Sequence, residues 1–327
     1  MMKLQTEVAL PESLERPLSY GMRLVSFGSC FSQHIGLRLA LEGYDVEVNP
    51  FGIQYNPLSI ARGLDQLLSG QAYEADALVQ YNGLWHSFDH HGSFSSASAE
   101  RTLRDINAKL ERARDYLLKA DYLLLTWGTA FVYELAGVGR VVSNCHKMPE
   151  RTFVRRRVSL SELLEVWQIL LSRLFDICPK LRIIQTVSPI RHLRDGAHGS
   201  SVSKATLMLL SEELCGLFPD RVSYFPAYEL LMDELRDYRF YAEDMLHPSE
   251  QTVRYIGDRF LEWAASAESK ALMSHIARLR REYQHRPLAA DCSEAQLRRE
   301  QLLVRIRAFA GQHPDVHLSS WLDPKDL

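Results

Sequence analysis

Short apolar runs that alternate with helix-forming stretches constrain the fold of this chain more than any other feature. Residues 122–126 read Tyr-Leu-Leu-Leu-Thr, and a continuous apolar run of this kind is typical of a strand covered on both faces. Four more β-rich runs lie at 23–27, 44–48, 181–187 and 222–225. Strands that alternate with helices predict an α/β protein of three layers, α/β/α, around a mostly parallel sheet.

Apolar residues at helical spacing mark the elements between these strands. The predicted helices cover 31–41, 57–68, 99–119, 160–175, 204–217, 228–235 and 250–265. The pair Asn82-Gly83 lies between aromatic and apolar residues, which indicates a hairpin, and we interpret about 78–98 as an insertion. A second hairpin is predicted where 131–133 and 140–142 flank a glycine-containing turn.

The last part of the chain differs in composition from the rest. Beyond residue 265 it becomes rich in Arg and Glu, with helices predicted at 270–283 and 294–310. At about 150 residues per domain, 327 residues allow two domains or one domain with an appendage. We predict an α/β domain over 1–265 and a helical extension over 266–327. The extension could pair with a second copy of the chain, although packing back on the same domain is the simpler expectation.

Composition and charge exclude several classes of protein. The chain is 46% hydrophobic with a formal net charge of −3, so it lacks the basic field that favours nucleic-acid binding. It has no run of 18 apolar residues for a membrane span, and the first 20 residues do not form a secretory signal. Its five cysteines are scattered, without disulfide or metal spacing. We therefore expect a cytoplasmic protein that contacts neither nucleic acid nor membrane.

The segment Gly28-Ser29-Cys30-Phe31 follows the first predicted strand and directly precedes a helix. In open α/β sheets, reacting groups collect at this carboxyl edge. Gly28 permits a tight turn, and the free N–H groups at the start of the helix favour a developing negative charge. Ser29 is therefore a candidate nucleophile, and the alternative is a serine that only caps the helix. Cys30 is a competing nucleophile, because a helix start lowers the pKa of a thiol.

A second candidate catalytic segment is Asp244-Met245-Leu246-His247-Pro248, near the end of the α/β part. His247 can act as the general base that accepts the Ser29 proton, and Asp244 can orient the imidazole through its other ring nitrogen. The alternative is an exposed loop histidine beside a capping aspartate. Together, the two segments favour a Ser-His-Asp triad.

A serine in a Gly-Ser turn after the first strand and a late Asp-x-x-His resemble the SGNH, or GDSL-type, hydrolase superfamily. The segment 28–32, Gly-Ser-Cys-Phe-Ser, is more closely similar to the GSCFA family, a bacterial group named for that motif, with Ser32 in place of its alanine. The resemblance covers about 24–265 and leaves out the C-terminal helices. It continues through the segments 49–52, 126–130, 142–147, 188–192 and 203–205. It implies an SGNH hydrolase-like, flavodoxin-like fold over the first 265 residues.

The resemblance also implies an oxyanion hole made by the Ser29 amide, by Gly52 after the second strand and by an asparagine after the third core strand. The third segment reads Gly-Thr-Ala-Phe at 128–131, so the expected asparagine is missing. Asn144 after the hairpin, or the Thr129 hydroxyl, could replace that donor. A missing donor costs roughly two to three orders of magnitude in rate.

Further polar residues follow predicted strands or begin helices and are candidates for substrate binding: His146, Arg191, His192 and Lys204. They could bind a carboxylate, a phosphate or a sugar, or be solvated surface residues. The basic run 155–157 is interpreted as a solvated approach to a helix or an anion-contacting rim. His86, Asp89, His90 and His91 could suggest a metal, but we expect an exposed insertion instead. No metal or other cofactor is predicted.

The predicted function is that of a serine-dependent acyl hydrolase, an esterase with a small-molecule ester substrate. The superfamily resemblance makes acylated carbohydrate a reasonable substrate class. The same site could transfer the acyl group to a sugar or another alcohol. The altered third segment favours a different class, a catalytically silent binding protein.

Overall fold

Five parallel strands form the central sheet of the protein. They are β1 (Arg23–Gly28), β2 (Asp45–Val48), β5 (Tyr122–Trp127), β9 (Arg182–Val187) and β10 (Val222–Tyr224). The computed structural model describes residues 6–285 and 293–326. The strand order is β10-β9-β5-β1-β2, and every neighbouring pair is parallel. The sheet expected from the alternating apolar runs is therefore confirmed.

Helices cover both faces of this sheet. One face packs against α2 (Pro57–Ser69), α3 (Ala99–Leu118), α4 (Leu160–Ile177) and α5 (Gly196–Leu217), and the other packs against α1 (Cys30–Leu41) and α7 (Glu250–Ala264). Successive residues of a strand point to opposite faces, so Leu123 lies in the first core and Leu124 in the second. This is the three-layer α/β/α arrangement that the sequence predicts.

Two antiparallel units extend from the sheet. The hairpin of β3 (Leu78–Tyr81) and β4 (Leu84–Ser87) turns at Asn82-Gly83, where both residues have positive φ. A second sheet combines β6 (Phe131–Leu135), β7 (Val141–Val142) and β8 (Phe153–Arg157) in the order β7-β6-β8. Residues 155–157 therefore form the end of strand β8, which leads to the start of α4 at Leu160. Arg156 pairs there with Glu134 and Glu162, which explains how consecutive arginines fit a strand.

Two helices differ most from their predicted extent. Helix α5 begins at Gly196, eight residues before the predicted start at 204, because its first turns are polar and carry no apolar periodicity. The predicted helix at 228–235 is a short α6 (Ala227–Glu229) followed by a π-helical turn over Leu230–Glu234.

The C-terminal helices α8 (Ala267–Gln284) and α9 (Ser293–Gln312) enclose a third, smaller core. This segment contacts the turn between α1 and β2. The His317 N–H donates to the Gly43 carbonyl at 2.8 Å, and the Ser320 hydroxyl donates to the Ala40 carbonyl at 2.7 Å. The segment thus packs back on its own chain. Pairing of these helices with a second copy remains a prediction.

Among the described residues, no helix is long and apolar enough to cross a membrane. Four cysteines of this part of the chain are free thiols, and Cys292 lies outside the described residues.

Candidate active site

A cleft of about 690 Å³ opens at the carboxyl edge of the central sheet. Residues after β1, β5 and β9 reach it together with the second antiparallel sheet and the segment before α7. Its polar and charged lining includes Ser29, Asn56, Thr129, Asn144, Lys147, Glu150, Arg155, Arg191, His192, Arg194 and His247. The cleft therefore brings together several of the candidate residues that are far apart in the sequence.

Ser29 lies between β1 and α1 and is only 1% exposed. It is the N-cap of α1, and its hydroxyl accepts a hydrogen bond from the Phe31 N–H at 3.3 Å. The preceding Gly28 has φ +144°, and a Cβ at Gly28 would lie 2.4 Å from the Thr126 carbonyl oxygen. Only glycine fits this approach of β1 to β5, so Gly28 fixes the turn that presents Ser29.

Cys30, the competing nucleophile, also lines the cleft. Burial raises the pKa of its thiol, and the lowering effects of the Phe31 and Cys30 backbone N–H groups and of Lys204 are smaller. The reactive form of cysteine is the thiolate. This direction of shift favours a neutral thiol at position 30 and supports Ser29 as the nucleophile.

His247 and Asp244 form a closely bonded pair at the cleft. The Nδ1 atom of His247 lies 2.5 Å from Oδ2 of Asp244, while Oδ1 of Asp244 accepts the N–H groups of Leu246 at 3.0 Å and His247 at 2.9 Å. These backbone bonds and the imidazole lower the pKa of the Asp244 carboxyl to about 2. The ionised carboxylate therefore favours the imidazole tautomer with the proton on Nδ1, leaving Nε2 as an acceptor.

Both side chains of this pair are about half exposed, at 52% for His247 and 47% for Asp244. His247 and Ser29 line the same cleft. No hydrogen bond between Ser29 and His247 is found within residues 6–285 and 293–326. Catalytic hydrogen bonds often tighten only when substrate binds, so the arrangement is compatible with a Ser-His pair.

The candidate oxyanion donors are placed very differently. The Gly52 N–H donates to the Asn49 carbonyl at 2.7 Å within a tight turn, and Gly52 does not line the cleft. This departs from the expectation, because the amide proton is already used. Thr129 lines the cleft, but its hydroxyl accepts the Phe131 N–H and lies 3.1 Å from the Ser203 hydroxyl. Asn144 also lines the cleft; its Oδ1 accepts the His146 N–H, and its Nδ2 has no partner among the described residues.

The four candidate substrate-binding residues separate into two pairs. Arg191 and His192 line the cleft. Burial, together with Lys204 and His247, lowers the pKa of His192 to about 4, so its ring is neutral at pH 7. His146 does not line the cleft, because its Nε2 bonds the Ser87 carbonyl at 2.8 Å and its ring stacks on His86. Lys204 is also absent from the cleft wall.

Lys204 lies beneath the site and is only 2% exposed. Its Nζ donates to the carbonyls of Gly128 and Ser188, both at 2.7 Å, and so joins the ends of β5 and β9. Burial, with a smaller effect of Arg191, lowers the pKa of Lys204 to about 7. A neutral amine has two N–H donors, which these two carbonyls satisfy. Lys204 therefore supports the cleft from below and does not bind substrate from its rim.

The low pKa of Lys204 predicts that its contribution to stability increases with pH. An unfolded lysine keeps its proton to about pH 10, whereas folded Lys204 releases it near pH 7. Between these values the unfolded chain binds more protons, so the free energy of unfolding rises with pH. Relative to Lys204→Met, the wild type should gain about 2 kcal/mol between pH 7 and 9. Urea unfolding of both proteins measures this gain, and a pH-independent difference would contradict it.

Two of the three histidines of the β3–β4 region are buried and do not lie on an exposed insertion, whereas His91 is half-buried. His86 and His90 are buried, and both ring nitrogens of His86 are engaged, with Ser95 and the Tyr81 carbonyl. Asp89 is also buried and pairs with Arg62 and Arg140, each at 2.9 Å. In the part of the chain that the structure describes, no three His, Cys, Asp or Glu side chains are grouped to hold a metal ion.

Several cleft residues were not identified from the sequence. Aromatic side chains of Tyr55, Phe131, Tyr133 and Phe153 form much of the wall. The guanidinium of Arg155 lies over the Tyr133 ring at 4.6 Å, and that of Arg194 lies over the same ring at 5.5 Å. The alternation of residues in β6 was the available signal, since it places Phe131 and Tyr133 on one face of the strand.

The fold and site define an α/β protein with a serine at the end of its first strand and a histidine–aspartate pair at the same cleft. The model of the GSCFA family matches residues 23–260. This match spans most of the sequence, and the chain belongs to the GSCFA family. The comparison with curated proteins finds no match.

Solved structures that match this one include two proteins of low sequence identity. One, from Streptococcus pneumonia and provisionally described as a platelet activating factor, has a TM-score of 0.38 and 11% identity, over 74% of this chain and 84% of its own. The other is an acetyl xylan esterase, Est2A, from the rumen bacterium Butyrivibrio proteoclasticus. It has a TM-score of 0.36 and 10% identity, over 80% of this chain and 66% of its own.

Proposed function

We propose that this protein is a serine-dependent acyl hydrolase, an esterase whose triad is Ser29, His247 and Asp244. The observation that carries the proposal is His247, which lines one cleft with the helix-capping Ser29 and is held by Asp244 at 2.5 Å. A carboxylate on Nδ1 leaves Nε2 as the base, which is the arrangement that activates a serine hydroxyl.

In the proposed reaction, Ser29 Oγ attacks the ester carbonyl while His247 Nε2 takes its proton. The C–O bond of the ester then breaks, and His247 returns the proton to the departing alcohol. Water, activated by His247 in the same way, attacks the acyl-serine and releases the carboxylic acid. No cofactor is needed for these steps, and Asp244 stabilises the imidazolium in both of them.

Negative charge on the former carbonyl oxygen needs donors close to Ser29. The first N–H groups of α1 have no partners within the helix and lie at its positive end, so the Ser29 amide is suited to this role. Asn144 Nδ2 is our second proposed donor, because Asn144 lines the cleft and this atom has no partner among the described residues. With the Ser29 amide kept from the superfamily arrangement, Asn144 would take the place of Gly52 and of the missing asparagine.

Hydrolysis of p-nitrophenyl acetate by the wild type, Ser29→Ala and Cys30→Ala tests the proposal. We expect Ser29→Ala to lose at least ~10³-fold in kcat/KM, because the nucleophile is gone. Cys30→Ala should stay within about threefold of the wild type, since a neutral thiol is a poor nucleophile. Activity that survives in Ser29→Ala, or that is lost in Cys30→Ala, would contradict the assignment.

The same assay with added glycerol separates hydrolysis from acyl transfer. A hydrolase releases acetate and p-nitrophenol in equal amounts. Transfer to glycerol forms acetylglycerol, so less free acetate than p-nitrophenol is released. No release above the rate in buffer would favour a binding protein. The carbohydrate O-acyl ester that the superfamily resemblance implies stays part of the proposal as a substrate class.

A further inference from the structure

Basic side chains predominate in the cleft. Its lining holds Lys147, Arg155, Arg191 and Arg194 against a single acidic residue, Glu150. The chain as a whole has a formal net charge of −3. Positive charge is therefore concentrated in this cleft although the chain as a whole is negatively charged. This concentration favours the approach of an anionic ligand.

Two of these four cations already have acidic partners. Arg155 forms a bidentate pair with Asp195, with bonds of 2.8 and 2.5 Å, and Arg194 pairs with Glu150. Arg155 also lies over the rings of Phe131 and Tyr133. These contacts hold the two arginines in the wall and largely neutralise their charge.

Arg191 and Lys147 have no acidic partner among the described residues. The Nε atom of half-buried Arg191 lies 3.5 Å from the Met232 sulfur, and its other polar contact is the Tyr228 hydroxyl. Lys147 is exposed at the cleft in a left-handed conformation, with φ +58°. A half-buried guanidinium with only weak acceptors retains most of its capacity to bind an anion.

We propose that the ester substrate carries an anionic group, a carboxylate or a phosphate, bound by Arg191 and Lys147. This inference rests on the proposed esterase function and names the substrate class of the same site. Arginine binds the planar carboxylate or a phosphate face through two N–H groups, and lysine adds a point charge. The aromatic wall would hold the body of the substrate, while Ser29 faces its ester carbonyl.

The test compares an anionic ester with a neutral ester of the same shape. The substrates are 4-acetoxybenzoate, 4-acetoxyphenyl phosphate and the neutral 4-acetoxybenzamide, and the readout is the ratio of their kcat/KM values. We expect the wild type to prefer at least one anionic ester by about tenfold. Arg191→Gln and Lys147→Gln should each reduce this preference roughly three- to tenfold, and added salt should reduce it in the wild type.

Lys180→Gln is the matched control, because it removes an exposed positive charge at the opposite, amino end of β9. It should leave kcat/KM unchanged for all three esters, and therefore their ratios as well. Arg191→Lys keeps the charge but loses the planar fork, and we expect it to retain a larger preference than Arg191→Gln. The comparison of kcat/KM between 4-acetoxybenzoate and 4-acetoxyphenyl phosphate identifies which anion is preferred.

A binding measurement keeps this inference distinct from the proposed function. Calorimetry with 4-acetamidobenzoate and 4-acetamidobenzamide, which lack the ester, reports anion binding without turnover. The anionic site is supported if the wild type binds the anion more tightly than the neutral amide and if this preference weakens in Arg191→Gln. If the same protein hydrolyses no ester, only the esterase proposal is contradicted. Equal rates and equal affinities for charged and neutral compounds in every variant would overturn the inference.

Discussion

Replacing Asp244 by Asn is expected to lower kcat for ester hydrolysis about 10³- to 10⁴-fold. The carboxylate accepts the two backbone N–H groups through Oδ1 and the imidazole through Oδ2. An amide nitrogen in place of Oδ2 cannot accept the Nδ1 proton, so the imidazole would switch to the tautomer that blocks Nε2. Steady-state kinetics with p-nitrophenyl acetate measure this loss, and KM should change far less than kcat.

Asp237→Asn is the matched control for this variant. Asp237 is exposed and caps a nearby turn by accepting the Arg239 N–H at 2.9 Å, but it does not line the cleft. Because the pKa of Asp244 is about 2, its carboxylate stays ionised over pH 4 to 9. The wild-type rate should therefore show no acid limb from this carboxylate. An Asp244→Asn enzyme as fast as Asp237→Asn would remove Asp244 from the triad.

Replacing Gly28 by Ala is expected to lower the free energy of unfolding by about 3 to 5 kcal/mol. A Cβ at this position would lie 2.4 Å from the Thr126 carbonyl oxygen and 2.8 Å from the Thr126 Cβ. The φ of +144° adds strain that glycine avoids. Because β5 is the central strand of the sheet, relief of the clash would separate β1 from β5. Denaturant unfolding measures the loss.

Gly216→Ala provides the control for the same substitution. Gly216 lies near the end of α5, is exposed, and has no atom within 4 Å of an added Cβ. Alanine favours helix over glycine, so stability should be unchanged or increase by up to about 1 kcal/mol. If Gly28→Ala were as stable as the wild type, the close approach of β1 and β5 at the Ser29 turn would be wrong.

The central sheet could be predicted from the sequence because its signals are local. The apolar run at 122–126 became β5, with side chains in both cores, and Asn82-Gly83 became the predicted hairpin turn. Elements without such signals were misjudged. The polar first turns of α5 carried no periodicity, and residues 155–157 became a strand because acidic partners distant in sequence neutralise Arg155 and Arg156.

The candidate site was predictable only where short segments carry it. Gly28-Ser29 and the segment from Asp244 to His247 identified the proposed triad from the sequence, and Arg191 and His192 do reach the cleft. The sequence could not show that the side chains of His146 and Lys204 lie outside the cleft wall. A lysine is usually exposed, and its burial here depends on two carbonyls at the ends of separate strands. The engagement of the Gly52 N–H likewise depends on the geometry of one turn.

Covalent labelling of Ser29 tests the central claim most directly. A p-nitrophenyl phosphonate ester reacts with a serine only when a neighbouring base activates it, and the adduct resembles the tetrahedral intermediate. Mass spectrometry of the intact protein and its peptides should find one adduct per chain, located on Ser29. It should be absent in Ser29→Ala and form much more slowly in His247→Gln. An unlabelled wild type, or an adduct on Cys30 or another residue, would contradict the account.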